Sequence, residues 1–102
     1  MDEPAGVVRI SAKPGREEEL LRVLTAMAAA ARLDEGAEIY AGHRGRRDPS
    51  EFFIYELYRD KDALRRHGAN EALQALGKEM GEMTTSVDVL VGNLVAGDRA
   101  VR

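Results

Sequence analysis

The sequence predicts an α+β domain of the ferredoxin-like type, β-α-β-β-α-β, with a four-stranded antiparallel sheet carrying its helices on one face. Three observations predict it. Two β-rich segments, residues 37–46 and 51–58, flank the hairpin chemistry of Asp48-Pro49-Ser50. Two more β-rich segments, 7–12 and 86–95, stand near the ends of the chain. The stretches between carry apolar residues at three-and-four spacing, the period of a helix with one buried face. The 102 residues make one domain, with its core over 7–95.

Each element has its own signal. Val7-Val8-Arg9-Ile10-Ser11-Ala12 is rich in β-branched residues. Lys13-Pro14-Gly15 ends it, with proline and glycine where a type II turn wants them. A helix is predicted over 16–34. Glu17, Glu18 and Glu19 favour its N-terminal dipole, and Leu20, Leu24, Met27, Ala28 and Ala31 form its apolar stripe. Gly36 suits the position past its end. Asp60 is a candidate N-cap for a short helix through His67, broken by Gly68 and Asn70. A further helix places Leu73, Leu76, Met80 and Met83 on one face, with Gly77 and Gly81 letting it approach the sheet. Residues 1–6 and 97–102 read as loose ends.

Composition excludes several function classes. There is no cysteine, so thiol nucleophiles, disulfides and cysteine-bound metals are out, and the chain fits the cytoplasm. Fifteen basic against eighteen acidic residues give a net charge of −3, which disfavours nucleic acid. No apolar run is long enough for a membrane span. No dinucleotide or phosphate loop occurs, so no cofactor is expected. The two histidines, His43 and His67, lack metal-ligand spacing, and no metal is expected either.

The strand 51–58, EFFIYELY, is apolar on both faces: Phe52, Ile54, Glu56 and Tyr58 alternate with Phe53, Tyr55 and Leu57. Helices cover only one face of such a sheet. Burying each large apolar side chain is worth roughly 1.5–3 kcal/mol, a large share of a net stability of about 5–15 kcal/mol. A second copy covering the other face, as a homodimer, is therefore expected.

His67 follows Leu64 by three residues and Ala63 by four, so it points inward with them. Glu56 points to the same side of the sheet. A buried carboxylate needs a partner, and His67 and Arg9 are the candidates. Two readings stand side by side. In one, His67 is a general base and Glu56 its orienting group. In the other, Glu56 and His67 are a satisfied internal pair that fixes the helix. Tyr58 shares the face of Glu56, whereas Tyr40 and Tyr55 read as packing residues. His43 with Arg44, Arg46 and Arg47 is either an anion-binding cluster or a solvated strand end.

Lys13-Pro14-Gly15, Asp34-Glu35-Gly36, and Phe53-Ile54-Tyr55-Glu56-Leu57-Tyr58-Arg59-Asp60 leading to Ala63-Leu64-Arg65-Arg66-His67 together resemble the antibiotic biosynthesis monooxygenase family of dimeric α+β barrels. The resemblance spans about residues 7–95 and implies fold and dimer. It also implies a cofactor-independent monooxygenase that oxidises a small electron-rich aromatic with molecular oxygen. His67, Glu56 and Tyr58 would be catalytic, Tyr58 and Arg9 holding a phenolate oxygen. Arg9, Phe52, Ile54 and Leu64 would contact the substrate in a cavity between sheet and helices. Heme-degrading relatives carry a histidine near the position of Gly77 and an asparagine where this chain has Val8 or Arg9, so no heme is expected. An isomerase or cyclase on the same cavity, or a non-catalytic binding module, are the alternative functions.

Overall fold

A computed structural model describes residues 3–97. The elements run β1 (Pro4–Ala12), α1 (Glu17–Ala31), β2 (Ala37–Arg44), β3 (Glu51–Tyr58), α2 (Lys61–Gly68), α3 (Glu71–Glu82) and β4 (Thr84–Asn93). The sheet order is β2-β3-β1-β4 and every pair is antiparallel. This is the expected ferredoxin-like fold, with the second helix split in two. Asn70 makes the split: its side chain accepts the Leu73 N–H and starts α3 as a new helix.

The turn chemistry acts as predicted. Gly15 has φ +83°, and the Arg16 N–H closes the turn onto the Lys13 carbonyl at 3.0 Å. Asp48 accepts the Ser50 N–H at 3.0 Å and the Ser50 hydroxyl at 2.7 Å, which bends β2 back into β3. Asp60 accepts the Ala63 N–H at 2.8 Å and starts α2 directly after β3.

Several boundaries differ from expectation. Pro4, Ala5 and Gly6 are in β1 and are not loose: Pro4 pairs with β4, and Ala5 and Gly6 pair with β3 on one side and β4 on the other. The far end expected to be loose lies, from residue 98 on, outside the described residues. The first helix stops at Ala31, and Asp34 falls in the turn beyond it. A Cβ at Gly77 or Gly81 would meet nothing within 4 Å, so these glycines do not serve a close approach.

The core lies between the helices and one sheet face. Val8, Ile10, Phe52 and Ile54 from the sheet meet Leu20, Val23, Leu24 and Met27 of α1 and Leu73 and Met80 of α3. The opposite face stays open, with Val7, Phe53 and Tyr55 exposed. β4 is exposed on both sides. Val87 and Val89 pair with Ile10 and Val8 and so share the helix face, yet no helix reaches over them. Leu90, beside Val7 on the open face, is 74% exposed. Among the described residues, no helix is long and apolar enough to cross a membrane.

Candidate active site

The site forms where three chain segments meet. Strand alternation puts Glu56 and Tyr58 on the helix face of β3, and both are buried. The Asp60 cap then sets the phase of α2, so that His67, in its last turn, points back at them. The third segment is the turn after α1. Gly36, at φ +92°, lets this turn press against α2, since a Cβ there would stand 2.6 Å from the Ala63 Cβ. Arg66 donates to the Glu35 carbonyl at 3.0 Å, and the Arg59 N–H donates to the Gly36 carbonyl at 2.8 Å. Asp34 is thereby carried to His67.

The result is an imidazole with a carboxylate at each nitrogen. Nδ1 lies 3.1 Å from Asp34 Oδ2 and Nε2 lies 3.3 Å from Glu56 Oε1. The same Glu56 oxygen accepts the Tyr58 hydroxyl. Asn70 donates to Asp34 Oδ1 at 2.7 Å. Two phenol rings flank the imidazole, with centroids 5.3 Å (Tyr40) and 5.1 Å (Tyr58) away. The His67 side chain is only 16% exposed. A neutral imidazole has one N–H and donates to one carboxylate alone, whereas a protonated ring donates to both. The network therefore has room for one movable proton.

Burial pushes the Tyr58 phenol well above the ordinary tyrosine range, and its bond to Glu56 pushes it further. Tyr40 is raised first by burial, then by the negative charges of Glu56 and Asp34. Both phenols thus stay protonated as donors.

Of the residues expected at the site, the structure brings together Glu56, Tyr58 and His67. Phe52 and Ile54 share their sheet face but sit further along β3, packed in the core. Leu64 lies on the preceding turn of α2, half-buried. Arg9 is a correction. It alternates to the open face of β1, its side chain is 72% exposed, and it donates through Nε to Glu51 at 3.0 Å. The sheet itself separates it from Glu56. Of the basic run after His43, Arg44 turns to Glu18 at 3.0 Å and to the Pro49 carbonyl at 2.7 Å, while Arg46 and Arg47 line one surface pocket together with Arg9.

Asp34 and Asn70 were not singled out as site residues. Asp34 sits 33 residues from His67, and only the three-dimensional path of the turn joins them. In the sequence, Asn70 signals only a break between helices. The expected hollow beneath the helices is displaced as well. Two cavities lie along the seam between α1 and β2: one of about 200 Å³ at Leu24, Gly42 and Phe52, another of about 230 Å³ at Ala31, Ala37 and Tyr40. His67 lines neither. Among the described residues, no group of three or more His, Cys, Asp or Glu side chains is placed to hold a metal ion.

The family model described as antibiotic biosynthesis monooxygenase matches residues 6–79. A solved structure from Pseudomonas aeruginosa is 28% identical, covers 94% of this chain and 97% of its own, and superposes with a TM-score of 0.84. One from Mycobacterium tuberculosis is 27% identical over 96% of this chain and 98% of its own, also at 0.84. A third, from Shewanella oneidensis, shares the fold at 23% identity and a TM-score of 0.86, over 91% of each chain. No curated protein matches the chain.

Proposed function

The chain belongs to the antibiotic biosynthesis monooxygenase family, and from that premise we propose that it oxidises a small electron-rich phenol or hydroquinone with molecular oxygen, without a cofactor. The observation that carries this reading is the imidazole of His67 suspended between two carboxylates. Its contact to Asp34 is the shorter, at 3.1 Å, and Asn70 holds Asp34 in turn. Its contact to Glu56 is the longer, at 3.3 Å. A substrate hydroxyl takes the place of Glu56 at Nε2, while Asp34 keeps the ring oriented and stabilises the imidazolium that forms.

The chemistry then needs little more from the protein. His67 removes the phenol proton, and the phenolate ring supplies electrons to oxygen. A ring C–H becomes C–O, the O–O bond breaks, and one oxygen leaves as water: phenol plus O₂ gives quinone plus H₂O. The Tyr58 hydroxyl, kept protonated by its surroundings, moderates the charge on Glu56. The surrounding rings exclude water from the phenolate.

Oxygen uptake with a panel of phenols and hydroquinones, no flavin or metal added, tests this. One O₂ consumed per quinone formed, and none with His67→Ala, is the expected result. No uptake for any member of the panel overturns it.

One observation favours a second reading. Both ring nitrogens of His67 already face a carboxylate inside the protein. If His67→Ala leaves turnover intact and lowers the melting temperature, the network is a structural clasp between the Asp34 turn and α2. The isomerase or cyclase alternative is marked by turnover of substrate without oxygen consumption.

The homodimer is part of the same proposal. Val7, Phe53, Tyr55 and Leu90 together present an apolar surface on the open sheet face, and a second copy of this chain offers the matching face. Light scattering at micromolar concentration is expected to give the mass of two chains, and the mass of one chain overturns it.

A further inference from the structure

Four side chains surround the His67 imidazole, and three of them make hydrogen bonds of their own. Asp34 is held by Asn70 at 2.7 Å. Glu56 sits on an inner strand and accepts from Tyr58, whose side chain has no exposed surface. Tyr40 is different. Its strand, β2, is the outer strand of the sheet and bonds only to β3. Its side chain is half-buried, and among the described residues its hydroxyl makes no hydrogen bond. A half-buried phenol oxygen without a partner forgoes a bond that water or a ligand would supply.

The ring of Tyr40 also has two neighbours on two sides. One is His67, 5.3 Å away between centroids. The other is a half-open pocket of about 230 Å³ between α1 and β2, lined by Ala28, Ala31 and Ala37 and by the exposed, charged Arg32 and Glu38. Three alanines make this space: any larger side chain at those positions would fill it. A closed apolar cavity of roughly 150 Å³ takes up benzene, so a pocket of this volume has room for an aromatic ring with its substituents.

We propose that Tyr40 is the substrate-contacting gate of the site: a single-ring phenol occupies the α1–β2 cavity, accepts a hydrogen bond from the Tyr40 hydroxyl, and reaches His67 when the Tyr40 ring turns aside. This rests on the reading of His67 as the reacting base. Tyr40 is fit for the task because it is the wall with no bond to break before it moves. The charges facing it, Asp34 from the turn and Glu56 from β3, and the burial around it keep its hydroxyl a donor.

The test does not depend on turnover, so it separates failure of the gate from failure of the oxygenase reading. The chain has two histidines, and His43 is exposed. Diethyl pyrocarbonate acylates accessible imidazoles, and peptide mass spectrometry reads the rate at each. In the wild type His67 is expected to react severalfold more slowly than a histidine in a short unstructured peptide. Tyr40→Ala is expected to speed His67 severalfold, with circular dichroism confirming the fold. Equal His67 rates in wild type and Tyr40→Ala overturn the gate. Tyr40→Phe keeps the ring and is the second arm, should Tyr40→Ala unfold. It is expected to keep the slow His67 rate and to bind 4-methylphenol about five-fold more weakly than wild type, the loss of one hydrogen bond of about 1 kcal/mol. Undiminished binding of 4-methylphenol by Tyr40→Phe, or no binding by wild type, overturns the contact.

Discussion

Strand β3 carries a glutamate near each end, and the two lead different lives. Glu51 faces the open side of the sheet, where it accepts from Arg9 and from the Ser11 hydroxyl. Glu56, five residues on, faces the helices and accepts from Tyr58 and meets His67. Each has a cation-capable partner and a hydroxyl, so the chemistry is nearly matched. The surroundings are not. Water replaces any partner that Glu51 loses, whereas nothing replaces a lost partner of Glu56. A single step of strand parity turns a surface ion pair into a group on which the turn after α1, β3 and α2 all depend.

The sharpest way to break the comparison is Glu56→Ala. Its removal leaves two buried groups, the Tyr58 hydroxyl and Nε2 of His67, without their partner, at about 1–3 kcal/mol each, so a loss of about 2–6 kcal/mol in urea unfolding is expected. A loss no larger than that of the corresponding change at Glu51 would show the two ends of β3 to be equivalent.

Tyr58→Phe should come next. It removes the donor to a buried carboxylate and keeps the ring, for an expected loss of about 1–3 kcal/mol. The same residue sets the alkaline limit of the fold. Tyr58 and Tyr40 have phenols raised above the ordinary value of about 10, so the unfolded chain ionises first as pH rises. Their contribution is fully present below about pH 10 and is lost as pH climbs from there toward the raised folded values. The urea midpoint is expected to fall steeply in that range for the wild type and less steeply for Tyr58→Phe. Parallel curves would contradict the role given to Tyr58.

Glu51→Gln should have the smallest effect. The Ser11 hydroxyl first, and Arg9 after it, hold the Glu51 carboxyl below the usual carboxylate range. Its contribution is therefore present above the unfolded value and fades as pH falls below it. A slight difference from wild type near neutral pH, vanishing in acid and shrinking in high salt, is the expected pattern. A difference that salt leaves untouched would mean that the open face is not open to solvent.

Much of this was legible in the sequence because it is local. The β-branched strands, the Asp48 turn, the Asp60 cap and the alternation along β3 each follow from neighbours in the chain, and together they impose the sheet order and the inward aim of His67 and Glu56. Arg9 shows the limit of reasoning about need. The search for a partner to Glu56 drew it inward, although alternation from Val8 and Ile10 already sent it outward. Asp34 shows the limit of distance. Its place beside His67 depends on Gly36 allowing the turn to press on Ala63, and no spacing in the chain encodes that contact. The cavity was misplaced for a third reason. Where a fold leaves space depends on how Phe52, Tyr40 and the alanines of α1 fill it, and packing is decided by shape, not by pattern.

Asn70 works with both ends of one flat group. Its oxygen receives the Leu73 N–H and so begins α3, while its nitrogen gives a hydrogen to Asp34. Aspartate would keep the first task and turn the second into repulsion, and serine would keep the first and be too short for the second. The junction between two short helices is thus wired to the histidine through a single carboxamide, and repair of one function by substitution at 70 comes at the expense of the other.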